Sequence, residues 1–343
     1  MFAENATRFV DELVQAAEQF FDSNAAENID FQFGRIVVRV ILPSSEVEVC
    51  AALRRTLPPT SGGNHEFVIY VIDERDGALR PNITWNQESI HKNGTVRVHY
   101  EEGVAIVFEG STRAINVLNQ QRRVGVLLMD DVSRYLMWAM TCPLRLLLNW
   151  IADGVNGELM HAAVMEKHGT GIAIIGKSGL GKSTLSITGG ISGGWSLVSD
   201  DFVLVENSKS ASAIYSIVKL GADDVLRLDL RLDDASMPVV FGKYVLSINQ
   251  IPGLQHITST NISCVVLPIR SQTARILPAH EHDLLPELVT HSLAGTLGGG
   301  PKSLRRMRDL VKNNPCFTMR LSPDWRENVS TLDEIARLIG TRA

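Results

Sequence analysis

The chain has 343 residues, 45% of them hydrophobic and 21% charged, with a formal net charge of −5. That composition excludes a disordered chain, and the length points to two domains with a substantial core. The slight acidity excludes a bulk electrostatic grip on nucleic acid or anionic lipid, and four scattered cysteines without CxxC spacing exclude a disulfide scaffold or a cysteine-built zinc site.

Phe9, Val10, Leu13, Ala16, Ala17, Phe20 and Phe21 recur at helical spacing, which predicts an opening amphipathic helix. The start of the chain carries Glu4 and Asp11 and lacks a basic segment followed by an apolar one, so no targeting signal is expected. β-Branched and aromatic runs at 35–42, 67–72, 95–100 and 104–108 predict strands. Hairpin turns are expected at His91-Lys92-Asn93-Gly94 and Glu101-Glu102-Gly103. Residues 1–153 therefore read as a β-rich α+β domain without a chemical motif. The greasiest stretch, 136–151, is interrupted by Pro143, Arg145 and Asn149 and predicts a buried helix rather than a membrane span. A cytoplasmic protein with no membrane partner is the expectation, which the cysteine usage suits.

Asp153-Gly154 and Asn156-Gly157 open a second domain, 154–343. Strands are predicted at 159–164, 171–175, 195–198, 202–205, 214–218, 244–248, 263–267 and 316–321. Leu304, Met307, Leu310 and Val311 form a helical stripe, and 332–339 a final helix capped from 330–333. Short strands with few helices between them point to an α/β domain of the α+β, mixed-sheet kind.

Three elements carry chemistry. Gly176-Lys177-Ser178-Gly179-Leu180-Gly181-Lys182-Ser183 fits GxxxxGK[ST] at every fixed position, after an apolar strand and before a helix starting near Thr184. Such a loop turns successive backbone N–H groups toward phosphate oxygens, and the helix N-terminus adds its positive end. Lys182 can then reach the β/γ-phosphates, and the Ser183 hydroxyl can join a Mg²⁺ shell. Next, the apolar Leu197-Val198-Ser199 ends in Asp200-Asp201, acids placed to hold Mg²⁺ or orient a nucleophile. Third is His161 in Leu159-Met160-His161-Ala162-Ala163. By pattern alone a single histidine on an apolar strand reads as a satisfied core residue.

A His-bearing strand, a P-loop fifteen residues on and a hydrophobic strand ending in Asp-Asp together resemble the catalytic domain of HPr kinase/phosphorylase. The stretches 142–164 and 316–321 resemble the HPr-kinase-like proteins of bacterial gene clusters, so the resemblance covers about 142–343. It implies a P-loop kinase domain whose nucleotide site is similar to that of ATP-dependent phosphoenolpyruvate carboxykinase. It further implies ATP and Mg²⁺ as cofactors and phosphoryl transfer to a hydroxyl, serine in a protein or peptide acceptor. By this resemblance Gly176 to Thr184 bind nucleotide and Asp200 is the base. Ser183 and Asp201 serve the metal, and His161 hydrogen-bonds the acid pair. Lys219, ending an apolar strand, resembles the carboxykinase's phosphate-contacting lysine. The family's assemblies also imply a homo-oligomer, and the first domain is expected to recognise the acceptor.

The chain departs from the pattern where HPr kinase carries a Glu-Ile-Arg-Gly signature. Here 215–221 reads Tyr-Ser-Ile-Val-Lys-Leu-Gly. The departure points away from HPr itself as acceptor and from a phosphorylase activity. An ATP-binding regulatory module without transfer, or a small-molecule kinase, are the alternatives. Lys243 reads as a hairpin lysine, and His280-Glu281-His282, with His291, as a polar loop rather than metal ligands. The segment 296–303 reads as a mobile loop, and Arg305-Arg306-Met307-Arg308 as the solvated face of a helix.

Overall fold

The computed structural model describes residues 2–60, 62–73, 95–101, 103–109, 113–230, 239–296 and 300–340. The chain forms two compact units, Met1–Gly154 and Val155–Ala343. The turn expected at His91 to Gly94, Glu102, and 297–299 of the expected mobile loop lie outside the described residues.

In the first unit, helix α1 (Phe2–Ser23) precedes β1 (Ala26–Phe33), β2 (Ile36–Pro43), α2 (Val47–Thr56), β3 (Phe67–Asp73), β4 (Thr95–Glu101), β5 (Val104–Glu109), β6 (Ala114–Asn119), β7 (Val124–Met129), α3 (Leu136–Ala139) and α4 (Arg145–Gly154). The strands form one sheet ordered β1-β2-β3-β7-β6-β5-β4, with β3 parallel to both neighbours and the other pairs antiparallel. Val10, Leu13, Val14 and Ala17 share one stripe of α1 and pack on Ile72, Ile106, Val117, Val126 and Leu128. The interrupted apolar stretch becomes α3 and α4, whose Leu146, Leu147, Leu148, Trp150 and Ile151 are buried.

The second unit contains β8 (Gly157–Met160), β9 (Ala162–Lys167), β10 (Thr170–Ile175), α5 (Lys182–Gly193), β11 (Ser196–Ser199), β12 (Val203–Glu206), β13 (Ser210–Ala213), β14 (Ile217–Leu220), α6 (Ala222–Arg227), β15 (Val239–Val240), β16 (Lys243–Ser247), β17 (Gln255–His256), β18 (Ser259–Arg270), β19 (Arg275–Pro278), α7 (Glu281–Thr296), α8 (Pro301–Asn313), β20 (Cys316–Leu321) and α9 (Trp325–Gly340). Its main sheet runs β17-β11-β9-β10-β18-β13-β12-β8, with β20 on β18 and β19 on β20. A small separate sheet runs β14-β16-β15. The main sheet is mixed, since β10–β18 and β18–β20 are parallel while β9–β10 is antiparallel. Both its faces are covered. Along β10, Ile172 and Ile174 meet Leu185 of α5 and Leu332 and Ile335 of α9. Ala173 and Ile175 face Leu284 and Leu288 of α7 with Met307 and Leu310 of α8. A strand buried on both sides reads as a continuous apolar run, which is how 171–175 reads.

Five sequence expectations change, one being the final helix, which begins at Trp325, so that 330–333 lie inside it instead of capping it. The single strand 159–164 is two, because β8 pairs with β12 while β9 pairs with β10 and β11; His161 is the link where the chain changes neighbours. Likewise 214–218 breaks between β13 and β14. The polar segment from His280 begins α7, a helix despite the internal Pro286. Pro301 to Ser303 are the first turn of α8, where proline's fixed φ is favourable. Among the described residues no helix is long and apolar enough to cross a membrane.

Candidate phosphate-binding site with an acid pair

The glycine-rich loop links the end of β10 to α5. Gly176, Gly179 and Gly181 hold φ at 118°, 84° and 99°, conformations that an L side chain resists. A Cβ on Gly181 would also lie 2.9 Å from Leu321 Cδ1, so the loop runs close over the end of β20. Lys177, Ser178 and Gly179 form the exposed tip and Leu180 packs inward. Arg270, at the end of β18, donates from its guanidinium to the Gly179 carbonyl at 2.8 Å. That contact was not readable in the sequence, since 91 residues separate the two.

Lys182, the first residue of α5, is buried and folded back on the loop. Its Nζ donates to the carbonyls of Gly176 (2.6 Å) and Lys177 (3.2 Å). Burial pushes its pKa down, against the charges of Asp201 and Asp200. The Ser183 hydroxyl lies near enough to Asp200 to favour its charged form. Thr184 instead donates its hydroxyl to Asp224 Oδ1 of α6 at 3.0 Å, which ties its side chain to the fold.

Asp200 and Asp201 follow β11, and Asp201 has φ of 100°. This left-handed turn, costly for a residue with a Cβ, sends the two carboxylates to different neighbours. Asp200 is only 3% exposed. Its Oδ2 receives the Lys219 backbone N–H at 3.4 Å, while its Oδ1 is buried without a hydrogen-bond partner among the described residues. Burial, and then the neighbouring Asp201 charge, push the Asp200 carboxyl up; the Ser183 hydroxyl and Lys219 favour its charged form.

Asp201 is gripped on both oxygens. His161 Nε2 lies 3.0 Å from Oδ1, and Lys219 Nζ forms a close ion pair with Oδ2. Burial alone would raise its pKa, but Lys219 and His161 prevail and hold it well below the usual carboxylate range. The His161 ring stacks on Phe202 with centroids 5.3 Å apart, and its backbone N–H donates to Ser292 Oγ at 3.0 Å. His291 stands edge-on to that ring, centroids 6.5 Å apart, with its own Nε2 3.4 Å from Glu287 Oε2.

The structure thus gathers Lys182, Ser183, Asp200, Asp201, His161 and Lys219 at one place. His161 and Lys219 hold Asp201, while Asp200 keeps an open oxygen. The donor set at Ser183 and Asp200, a hydroxyl and an orphaned carboxylate oxygen, suits a hard cation such as Mg²⁺ that also takes phosphate oxygens. Glu287, His291 and Ser292 were missed as site neighbours, since only the packing of α7 brings them to His161. No protein-family model matches this chain and no curated protein matches it. Fold and site define a mixed α/β protein with a glycine-rich loop opposite paired acids.

Proposed function

We propose that the protein is a Mg·ATP-dependent kinase that transfers the γ-phosphate to a hydroxyl, serine in a protein or peptide. Its second unit would be a P-loop kinase domain of the HPr kinase and phosphoenolpyruvate carboxykinase type. One observation carries the reading: the buried Oδ1 of Asp200, without a hydrogen-bond partner among the described residues, near Ser183 of the loop that holds Lys182.

The backbone N–H groups of 177–183 would hold the phosphates, and Lys182 would exchange the Gly176 and Lys177 carbonyls for phosphate oxygens. Mg²⁺ held by Ser183 at the acid pair would neutralise charge on the phosphates. Asp200, whose buried Oδ1 is open, would take the proton of the acceptor hydroxyl as its oxygen bonds to the γ-phosphorus and the bond to the ADP oxygen breaks. Asp201, whose two oxygens His161 and Lys219 hold, would stay ionised beside it. The serine-bearing acceptor is proposed from the family resemblance.

Intact-mass measurement of candidate acceptors, starting with products of adjacent genes, tests the reading with Mg·ATP present. One phosphate is gained with the parent protein and none with Lys182→Ala or Asp200→Asn. Transfer unchanged by both substitutions overturns it. A nucleotide-binding module without transfer is the second reading, favoured by Asp201 having both oxygens occupied by cation or donor groups. It requires ATP binding with no acceptor-dependent ATP consumption by the parent protein.

A further inference from the structure

We propose that Arg270 is a positioning residue of the phosphate loop, acting through the Gly179 carbonyl to aim the Leu180 N–H into the loop; the inference rests on the nucleotide site proposed above. The loop lies along strands that outrun the one it leaves. Parallel pairing sets Val266 of β18 beside Ile174 of β10, and β10 ends one residue later while β18 continues to Arg270. At Arg270 the partner on β20 is Leu321, and the Ser271 N–H donates to the Leu321 carbonyl at 2.9 Å, which secures that end. Three side chains of this overhang approach the loop. A Cβ on Gly176 would lie 2.9 Å from Leu267 Cδ1, one on Gly181 would lie as close to Leu321 Cδ1, and Arg270 reaches Gly179, between those two in sequence.

Gly179 needs its tie more than the other two glycines do. Nothing lies within 4 Å of where its Cβ would project, and its φ is 84°. A glycine at an exposed tip with no packing around it has many conformations open to it. The Arg270 guanidinium, 2.8 Å from the Gly179 carbonyl, therefore fixes the peptide between Gly179 and Leu180. A peptide unit is planar and trans, so its carbonyl and N–H point opposite ways, and holding one aims the other.

The aimed N–H, that of Leu180, crosses the loop to the Lys177 carbonyl at 3.4 Å. That distance is long for an N–H···O bond, and the same carbonyl already receives Lys182 Nζ at 3.2 Å. A phosphate oxygen that took over both donors would cost the loop little and would find the Leu180 amide already oriented.

Calorimetric titration of the full chain with Mg²⁺ and either ADP or a non-hydrolysable ATP analogue tests this in the parent, Arg270→Met and Arg270→Lys. Methionine keeps an apolar stem and removes the donors, so both nucleotides should bind about three- to tenfold more weakly, the range of one hydrogen bond. Lysine keeps a donor head and should recover part of the loss. Because Arg270 is exposed, the melting temperature of Arg270→Met should stay within about 2 °C of the parent, and a larger drop overturns the positioning role. Without nucleotide, the backbone order parameters of Gly179 and Leu180 should fall from about 0.85 in the parent to below about 0.6 in Arg270→Met. Equal order in the two proteins, or affinities unchanged by methionine, overturns the assignment of Arg270. Weakening of the ATP analogue alone also overturns it, since that result places Arg270 directly on the outermost phosphate. A parent protein that binds neither nucleotide removes the underlying site, while the order parameters, measured without nucleotide, still decide whether Arg270 holds the tip.

Discussion

The imidazole Nε2 of His161 sits 3.0 Å from Oδ1 of Asp201 while Lys219 occupies Oδ2, so one carboxylate is oriented by a ring from the β8–β9 link and charged by a lysine from β14. Beside this held carboxylate, Asp200→Asn should remove the proton acceptor, lowering turnover about 10²- to 10⁴-fold with nucleotide affinity nearly kept. The ion pair is about a quarter exposed, so solvent screening limits its stability share to about 1 kcal/mol. The folded-state pKa is depressed, so this share is present above the unfolded value, about 3.9, and is lost as pH falls through the folded one. Lys219→Met should therefore lower the melting temperature at pH 7 and lose that effect in strong acid. A melting difference that grows on acidification contradicts the assignment.

Asp200 behaves in the opposite sense. Its folded-state pKa is raised, so its charge weakens the fold above that pKa, and the penalty fades as pH falls through the folded value toward the unfolded one. Without nucleotide, Asp200→Asn should raise the melting temperature at pH 7 by about 3 °C, the gain shrinking as pH falls through the folded value and gone by about pH 4. A lower melting temperature at pH 7 would mean that the charge is held by partners better than the orphaned Oδ1 indicates.

The legible parts of this site were those written contiguously. Gly176 to Ser183 sit between an apolar run and a helix, and both neighbours fold as read. Asp200-Asp201 could be found by position, but not which acid faces which partner, because the φ of 100° at Asp201 breaks simple strand alternation. His161 looked like mid-strand because Leu159 to Val164 is almost wholly apolar; pairing partners, not composition, break the strand there. Helix α7 was hidden by Pro286 and its polar start, and with it the approach of His291 and Ser292. In the first unit β7 is buried at all six positions, so it lacks the alternation that marks a half-buried strand.

Asp333 of α9 ties two elements behind the loop. Its Oδ1 accepts from Lys167 Nζ at 2.8 Å and from Trp195 Nε1 at 3.0 Å, and Trp195 is only 1% exposed. Asp333→Ala leaves the buried indole N–H without its acceptor and should cost about 1–3 kcal/mol in urea unfolding. Asp333→Asn should recover part of that by keeping an oxygen for the indole while losing the ion pair with Lys167. Equal stability of the parent and the alanine variant would show that this contact contributes nothing net.

Two loop glycines separate backbone strain from crowding. Gly179 has φ of 84° with open space where a Cβ would project, whereas Gly181, at 99°, would drive its Cβ to 2.9 Å from Leu321 Cδ1. Gly179→Ala should cost only the left-handed penalty, about 1–2 kcal/mol. Gly181→Ala adds an overpacking term of about 1–3 kcal/mol, because Leu321 is buried and has little room to retreat. Chemical denaturation of the two variants should rank Gly181→Ala as the less stable. Pairing Gly181→Ala with Leu321→Ala should relieve the crowding but not the strain, so its cost should fall to that of Gly179→Ala. If the cost of Gly181→Ala is unchanged in the Leu321→Ala background, the contact with β20 is not what confines the loop.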